Sequence, residues 1–255
     1  MTSSGGTFAD KIKRCSIEKR SRIILALDLD HRANTQNLLS DAMNLVRETS
    51  DAICAVKINF HLLLPLSISE ITRLNSFITK RGLVSIADIK LNDIDNTNRV
   101  TTEYLWDSGF SAVIANPFVG FEGALDVVFE HAHRRGKGII LLGYMSHRGA
   151  DEGYGLKLSN SRTIFREFLE RAKNWKADGM ILGSTRPEKI VEARKILGRK
   201  IKLICPGSGA QGGNSVESLK AGADYLIYGR AIVQSKHPGQ TAKDILRSLS
   251  SITKN

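Results

Sequence analysis

Eight short apolar runs, each followed by a stretch with helical spacing, constrain this chain more than any other feature. The runs are 22–28, 52–58, the run opening at Val84, 112–115, 138–143, 179–183, 202–205 and 225–229. Between them, apolar residues recur at helical intervals: Leu38, Leu39, Ala42, Met43, Leu45 and Val46, then Ile68, Ile71, Leu74 and Ile78. Helical stretches follow through Tyr104 and Leu105 and over 125–129, 162–173, 190–196 and 216–221, closing with Ala242, Ile245 and Leu246. Asn34 or Thr35 offers an N-cap for the first of them. A run such as R-I-I-L-A-L-D, apolar at successive positions rather than at every second one, fits a parallel strand covered on both faces. Strict alternation of strand and helix predicts a parallel sheet, and eight units predict closure into a (β/α)8 TIM barrel. A doubly wound open sheet is the alternative.

A chain of 255 residues is long enough for one large core. The expected organisation is a basic N-terminal extension over 1–20 and a single barrel catalytic domain over 21–255. Hydrophobic content of 42% and charged content of 25% are ordinary for a soluble globular protein. No apolar run approaches the roughly 18 residues of a membrane span, and the N-terminus has no signal-peptide core, so a cytoplasmic protein is expected. Cys15, Cys54 and Cys205 are odd in number and far apart, and two of them lie in strand-like runs. They read as reduced core thiols, not as a disulfide framework or a metal site.

The net charge of +11 is partly local, with Lys11, Lys13, Arg14, Lys19, Arg20 and Arg22 crowded together. Such a bias suits either an anionic ligand or a merely solvated surface. Aromatics make up 6% of the chain and are not interleaved with the basic run, so no base-stacking platform is expected.

Barrel enzymes place their chemistry at the C-terminal ends of the strands. Those ends carry Asp28, Lys57, Asp88 with Lys90, Asn116, Ser146 slightly beyond the fifth strand, and Arg230 after the eighth. The third is the richest: in V-S-I-A-D-I-K-L-N-D-I-D-N-T, Asp88, Lys90 and Asp93 fall within six positions. Alternation along a strand puts Asp88 and Lys90 on one face. On an interior face they form a paired buried charge of the kind that serves chemistry; otherwise the strand runs out into a polar loop.

Two stretches read as anion-binding. P-G-S-G-A-Q-G-G, beginning at Pro206, has four glycines that let backbone N–H groups approach a ligand. Tyr228-Gly229-Arg230 ends the eighth strand in a glycine and a planar guanidinium. Loops after strands seven and eight are the usual phosphate site of such barrels. The connection 146–159, S-H-R-G-A-D-E-G-Y-G-L-K-L-S, reads equally as a cover over a ligand or as a surface insertion. Its His147 reads as a bystander.

The stretch D-I-K-L-N-D-I-D-N-T resembles the D-x-K-x-x-D-I-x-x-T signature of the orotidine 5′-monophosphate decarboxylase family, matching at Asp88, Lys90, Asp93, Ile94 and Thr97. L-A-L-D, V-K-I, M-S-H, P-G-S-G-A-Q-G-G and Y-G-R-A-I look like further family segments in family order, so the resemblance covers nearly the whole chain. It implies decarboxylation of orotidine 5′-monophosphate to uridine 5′-monophosphate, with no metal or organic cofactor. It also implies a homodimer whose sites lie at the subunit interface; from the composition, neither nucleic acid nor a membrane is an expected partner.

Carried over by position, Lys57, Asp88, Lys90 and Asp93 match a catalytic Lys-Asp-Lys-Asp network in which Lys90 protonates C6. Asp93 and Thr97 match residues that enter the partner subunit's site. Asp28 and Lys57 match ribose contacts, Ser146 the pyrimidine-edge contact, and Gln211 the bridge from that edge to the phosphate. Pro206 belongs with the substrate-binding segment, and Gly209, Gly229 and Arg230 match the phosphate grip. Metal-dependent sugar-phosphate decarboxylases and aldolases resemble the chain too, but place a metal-binding carboxylate where this chain has Lys57.

Overall fold

The structure is a computed structural model and describes residues 6–29, 37–207 and 214–250. In chain order its elements are α1 (Phe8–Glu18), β1 (Ile23–Leu27), α2 (Leu38–Thr49), β2 (Ala55–Asn59), α3 (Phe60–Leu63), α4 (Ile68–Thr79), β3 (Val84–Leu91) and α5 (Asp95–Asp107). They continue with β4 (Ala112–Ala115), α6 (Asp126–Arg134), β5 (Gly138–Tyr144), α7 (Ala150–Tyr154), α8 (Ile164–Asn174), β6 (Gly179–Leu182) and α9 (Pro187–Leu197). The last are β7 (Lys202–Pro206), α10 (Ser215–Ala221), β8 (Tyr225–Tyr228), α11 (Arg230–Val233) and α12 (Pro238–Ser250). The eight strands close in sequence order, β1 pairing with β8, and every pairing is parallel. The TIM-barrel expectation therefore holds, and the open sheet does not. The proposed cap at Asn34 or Thr35 lies outside the described residues.

Two apolar layers build the body. Alternate strand residues such as Ile24, Ala55, Ile86, Ala112, Ile140, Ile181, Ile204 and Tyr225 fill the interior. Their neighbours pack outward against the helices. That double covering is why the strands are apolar at successive positions.

The N-terminal segment contributes to the core. Thr7 and Asp10 form a capping box that starts α1, satisfying two otherwise orphaned N–H groups. Phe8, Ile12 and Cys15 lie one helical turn apart and are buried with the interior cluster, so α1 closes the N-terminal end of the barrel. The fit is close: a Cβ added at Gly138, the first residue of β5, would lie 2.4 Å from the Phe8 ring. Lys11 contributes too, its ammonium donating to the Gly136 carbonyl at 3.2 Å.

The connection after β5 is folded over much of its length. Ala150 is buried, and the Asp151 carboxylate accepts hydrogen bonds from the Tyr144 hydroxyl and from Arg186, the latter at 2.8 Å. Tyr154 lies against Tyr144 and Phe168 with ring centroids 5.0 Å and 6.2 Å away. Its ring is thus committed to the barrel wall, where aromatic packing outweighs exposure at the mouth.

Candidate active site

The C-terminal mouth of the barrel holds a cavity lined by Asp28, Lys57, Asp88, Lys90, Ser146, Pro206, Gly229 and Arg230. Apolar side chains from the next layer down, including Ala26, Ile114, Leu142, Ile181 and Ile227, form its floor. Eight residues singled out from the sequence thus converge on one space, although six different strands or their following turns supply them.

Asp88 is the hinge of this arrangement. Its Oδ2 accepts from the Lys57 ammonium at 2.5 Å, and its Oδ1 accepts from Lys90 at 2.9 Å. Burial pushes the Asp88 carboxyl up, but Lys57, then Lys90, outweigh it and hold the group below its usual value. The carboxylate therefore stays ionised, with each oxygen committed to a different cation. The two lysines differ in access: Lys57 has 7% of its side chain exposed and Lys90 42%. Lys57 is a buried anchor, whereas Lys90 presents its ammonium to the cavity.

Alternation brings Asp88 inward beside Val84 and Ile86, as expected, but Lys90 reaches the mouth by a different route. Its φ is +46°, a left-handed conformation that costs a side-chain-bearing residue about 1–3 kcal/mol. The β3–β4 register also shifts: Ala87 pairs with Val113, but Leu91 pairs with Ala115. The extra residues on β3 bulge at 88–90 and turn Lys90 toward Asp88.

Further round the mouth, past β2, Gly229 packs against Asp28, where an added Cβ would sit 2.6 Å from the carboxylate Oδ2. Any larger residue there displaces the Asp28 carboxylate. Arg230 follows as an exposed first residue of α11. Ser146 is held over the mouth by the Thr185 hydroxyl, which donates to its carbonyl at 3.2 Å.

Not every candidate lies in this space. Asp93 and Thr97 are exposed and do not line the cavity of their own chain; the Asp93 carboxylate accepts the Ile94 N–H at 2.8 Å. Asn116 turns back to accept the Phe118 N–H at 3.0 Å, and His147 is exposed away from the cavity lining. Gly209 and Gln211 lie outside the described residues. One polar residue was missed: Asn59 lines the cavity and hydrogen-bonds both Asp28 and Lys57. The signal was present, since Asn59 stands two positions after Lys57 on β2 and shares its face.

Three cations and two carboxylates around the mouth of a closed parallel barrel define an enzyme of the (β/α)8 class. The chain belongs to the orotidine 5′-phosphate decarboxylase / HUMPS family, whose sequence model matches residues 21–245. It is similar to the orotidine 5′-phosphate decarboxylase of Pyrococcus furiosus, with 37% identity over 89% of this chain and 97% of that protein. The corresponding protein of Methanosarcina barkeri is 34% identical over 90% of this chain and 95% of its own length. Among solved structures, orotidine 5′-monophosphate decarboxylase from Methanocaldococcus jannaschii, complexed with the inhibitor BMP, superposes with a TM-score of 0.75. It is 30% identical and covers 89% of this chain and 97% of that one.

Proposed function

We propose that the chain decarboxylates orotidine 5′-monophosphate to uridine 5′-monophosphate, the last step of pyrimidine synthesis, without a metal or organic cofactor. The observation that carries this reading is the Lys57–Asp88–Lys90 chain, which fixes one exposed ammonium over an apolar-floored cavity. Loss of carbon dioxide leaves an electron pair on C6 of the pyrimidine, with no adjacent carbonyl to accept it as an enolate. The Lys90 ammonium offsets that charge as it forms and then transfers its proton to C6. Asp88 keeps Lys90 aimed, and buried Lys57 keeps Asp88 ionised. Ser146 meets the pyrimidine edge, Asp28 and Lys57 the ribose, and Pro206, Gly229 and Arg230, with Gly209 and Gln211, the phosphate side. In the metal-dependent sugar-phosphate reading a carboxylate stands at position 57; here an ammonium does, and it is already paired with Asp88.

Run in D2O, the reaction is expected to yield uridine 5′-monophosphate carrying deuterium at C6, detected by proton magnetic resonance. Unchanged substrate would contradict the reading.

The working unit is a homodimer in which Asp93 and Thr97 complete the partner subunit's site. Supporting this, the connections after β2, β3 and β4 expose Phe60, Leu64, Ile68, Ile94 and Phe118, large apolar side chains of the kind an interface covers. Inactive Asp93→Ala and Lys90→Ala proteins, mixed under conditions of subunit exchange, are expected to regain up to about a quarter of wild-type activity, because random pairing makes half the dimers mixed, each with one intact site. No recovery after demonstrated exchange rules out shared sites. A cytoplasmic setting accords with three cysteines that are buried and unpaired.

A further inference from the structure

The upper row of the mouth runs across three strands. Asp28 follows the end of β1, Asn59 ends β2, and Asp88 stands on β3 as the register partner of Asn59. Lys57 lies one layer below Asn59 on the same face and extends upward to Asp88 Oδ2 at 2.5 Å. Asn59 therefore stands between two carboxylates and above one ammonium. Its amide meets each neighbour with the matching end: Nδ2 donates to Asp28 Oδ1, and Oδ1 accepts from Lys57 Nζ. These bonds extend the ion chain without a break from Asp28 through Asn59, Lys57 and Asp88 to Lys90.

We infer that Asn59 is a positioning residue for the decarboxylation: a neutral spacer that keeps Asp28 from capturing Lys57, so that Lys57 stays committed to Asp88 and Asp28 stays available to the substrate. The inference rests on the proposed reaction and adds to it a residue outside the charged network. The physical reason is competition. An ammonium with two carboxylates in reach divides between them, and any share of Lys57 taken by Asp28 weakens its hold on Asp88. An amide satisfies both neighbours while adding no charge. A carboxylate there would make three acids in a row; a hydrocarbon would leave Lys57 and Asp28 free to meet.

The test is Asn59→Asp, which preserves shape while replacing the donor by a second acceptor. The charged groups around the same cavity are Asp28 just after β1, Lys57 on β2, Asp88 and Lys90 on β3, and Arg230 at the start of α11. At pH 8 the new carboxylate and Asp28 repel each other and compete for Lys57, and kcat/KM is expected to fall about hundredfold. Near pH 5.5 the crowded acids share a proton, the spacer is partly restored, and the deficit is expected to shrink to about tenfold or less. A packing role alone predicts the same fractional loss at every pH. Asn59→Ala, which adds no acid, is expected to lose activity with a pH profile parallel to wild type.

A deficit in Asn59→Asp that is independent of pH, or activity within threefold of wild type throughout, overturns the inference. Affinity for uridine 5′-monophosphate, measured by calorimetry at the same two pH values, is expected to show the same narrowing. If the wild type turns over no orotidine 5′-monophosphate, the proposed reaction fails, while the binding comparison still decides the role of Asn59.

Discussion

Replacing Lys90 by alanine is expected to lower kcat on the order of 10⁵-fold while changing affinity for uridine 5′-monophosphate only a few-fold. The size follows from two roles placed on one ammonium. Stabilising developing charge in a water-poor site contributes about 10²–10³. Positioned proton transfer contributes about 10²–10⁴. Neither acts on the product, whose C6 carries an ordinary C–H bond and no charge. The fold is expected to survive, because Asp88 keeps its buried partner Lys57 and the half-open Lys90 pair is worth about 1 kcal/mol or less. Steady-state kinetics and a product titration check both halves. A rate within tenfold of wild type removes Lys90 from the chemistry; an equal loss in product affinity turns it into a binding residue.

The second large effect falls far from the reacting carbon. Arg230→Ala is expected to lower kcat/KM about 10²–10³-fold, with kcat and KM both impaired. A bidentate guanidinium–phosphate contact comprises two charge-assisted hydrogen bonds, each worth about 1.5–3 kcal/mol. Binding energy from the remote phosphate holds the pyrimidine against Lys90, so losing it slows the chemical step as well as weakening capture. Arg230→Lys is expected to recover only part of the loss, since a single ammonium cannot reproduce the planar fork. Because Arg230 is exposed and opens only a four-residue helix, its removal is expected to leave thermal stability nearly unchanged. Wild-type kinetics in Arg230→Ala would move the phosphate elsewhere.

The parts of this molecule legible in the sequence are those set by repetition and by residue type. The strands showed as apolar runs because both of their faces are covered, and the helices between them showed as amphipathic spacing. The strand ends carrying unlike charges, Asp28, Lys57, Asp88, Lys90 and Arg230, all line the cavity at the mouth. What the sequence hid has local causes. The bulge that turns Lys90 into a left-handed conformation leaves no trace in an alternation pattern, because alternation alone gives the same facing. The role of α1 was masked by its charge: six basic residues in and after it draw attention from Phe8, Ile12 and Cys15, whose spacing seals the barrel floor.

Asn59 is hidden beside the charge of Lys57 two positions earlier on the same strand, and its own contribution is to be neutral between charges. Tyr154 lies on the connection that reads equally as a cover over a ligand or as a surface insertion, and the structure seats its ring on Tyr144 and Phe168. Asp93 and Thr97 do not line the cavity of their own chain, and the hybrid dimers test directly whether they act in a partner's.

In the proposed reaction this barrel removes carbon dioxide from orotidine 5′-monophosphate using its own lysine. The most direct measurement is the loss of ultraviolet absorbance on adding that nucleotide to the wild-type protein, with and without a metal chelator. A rapid loss at the same rate in both is expected. No loss, or a loss that the chelator abolishes, would contradict it.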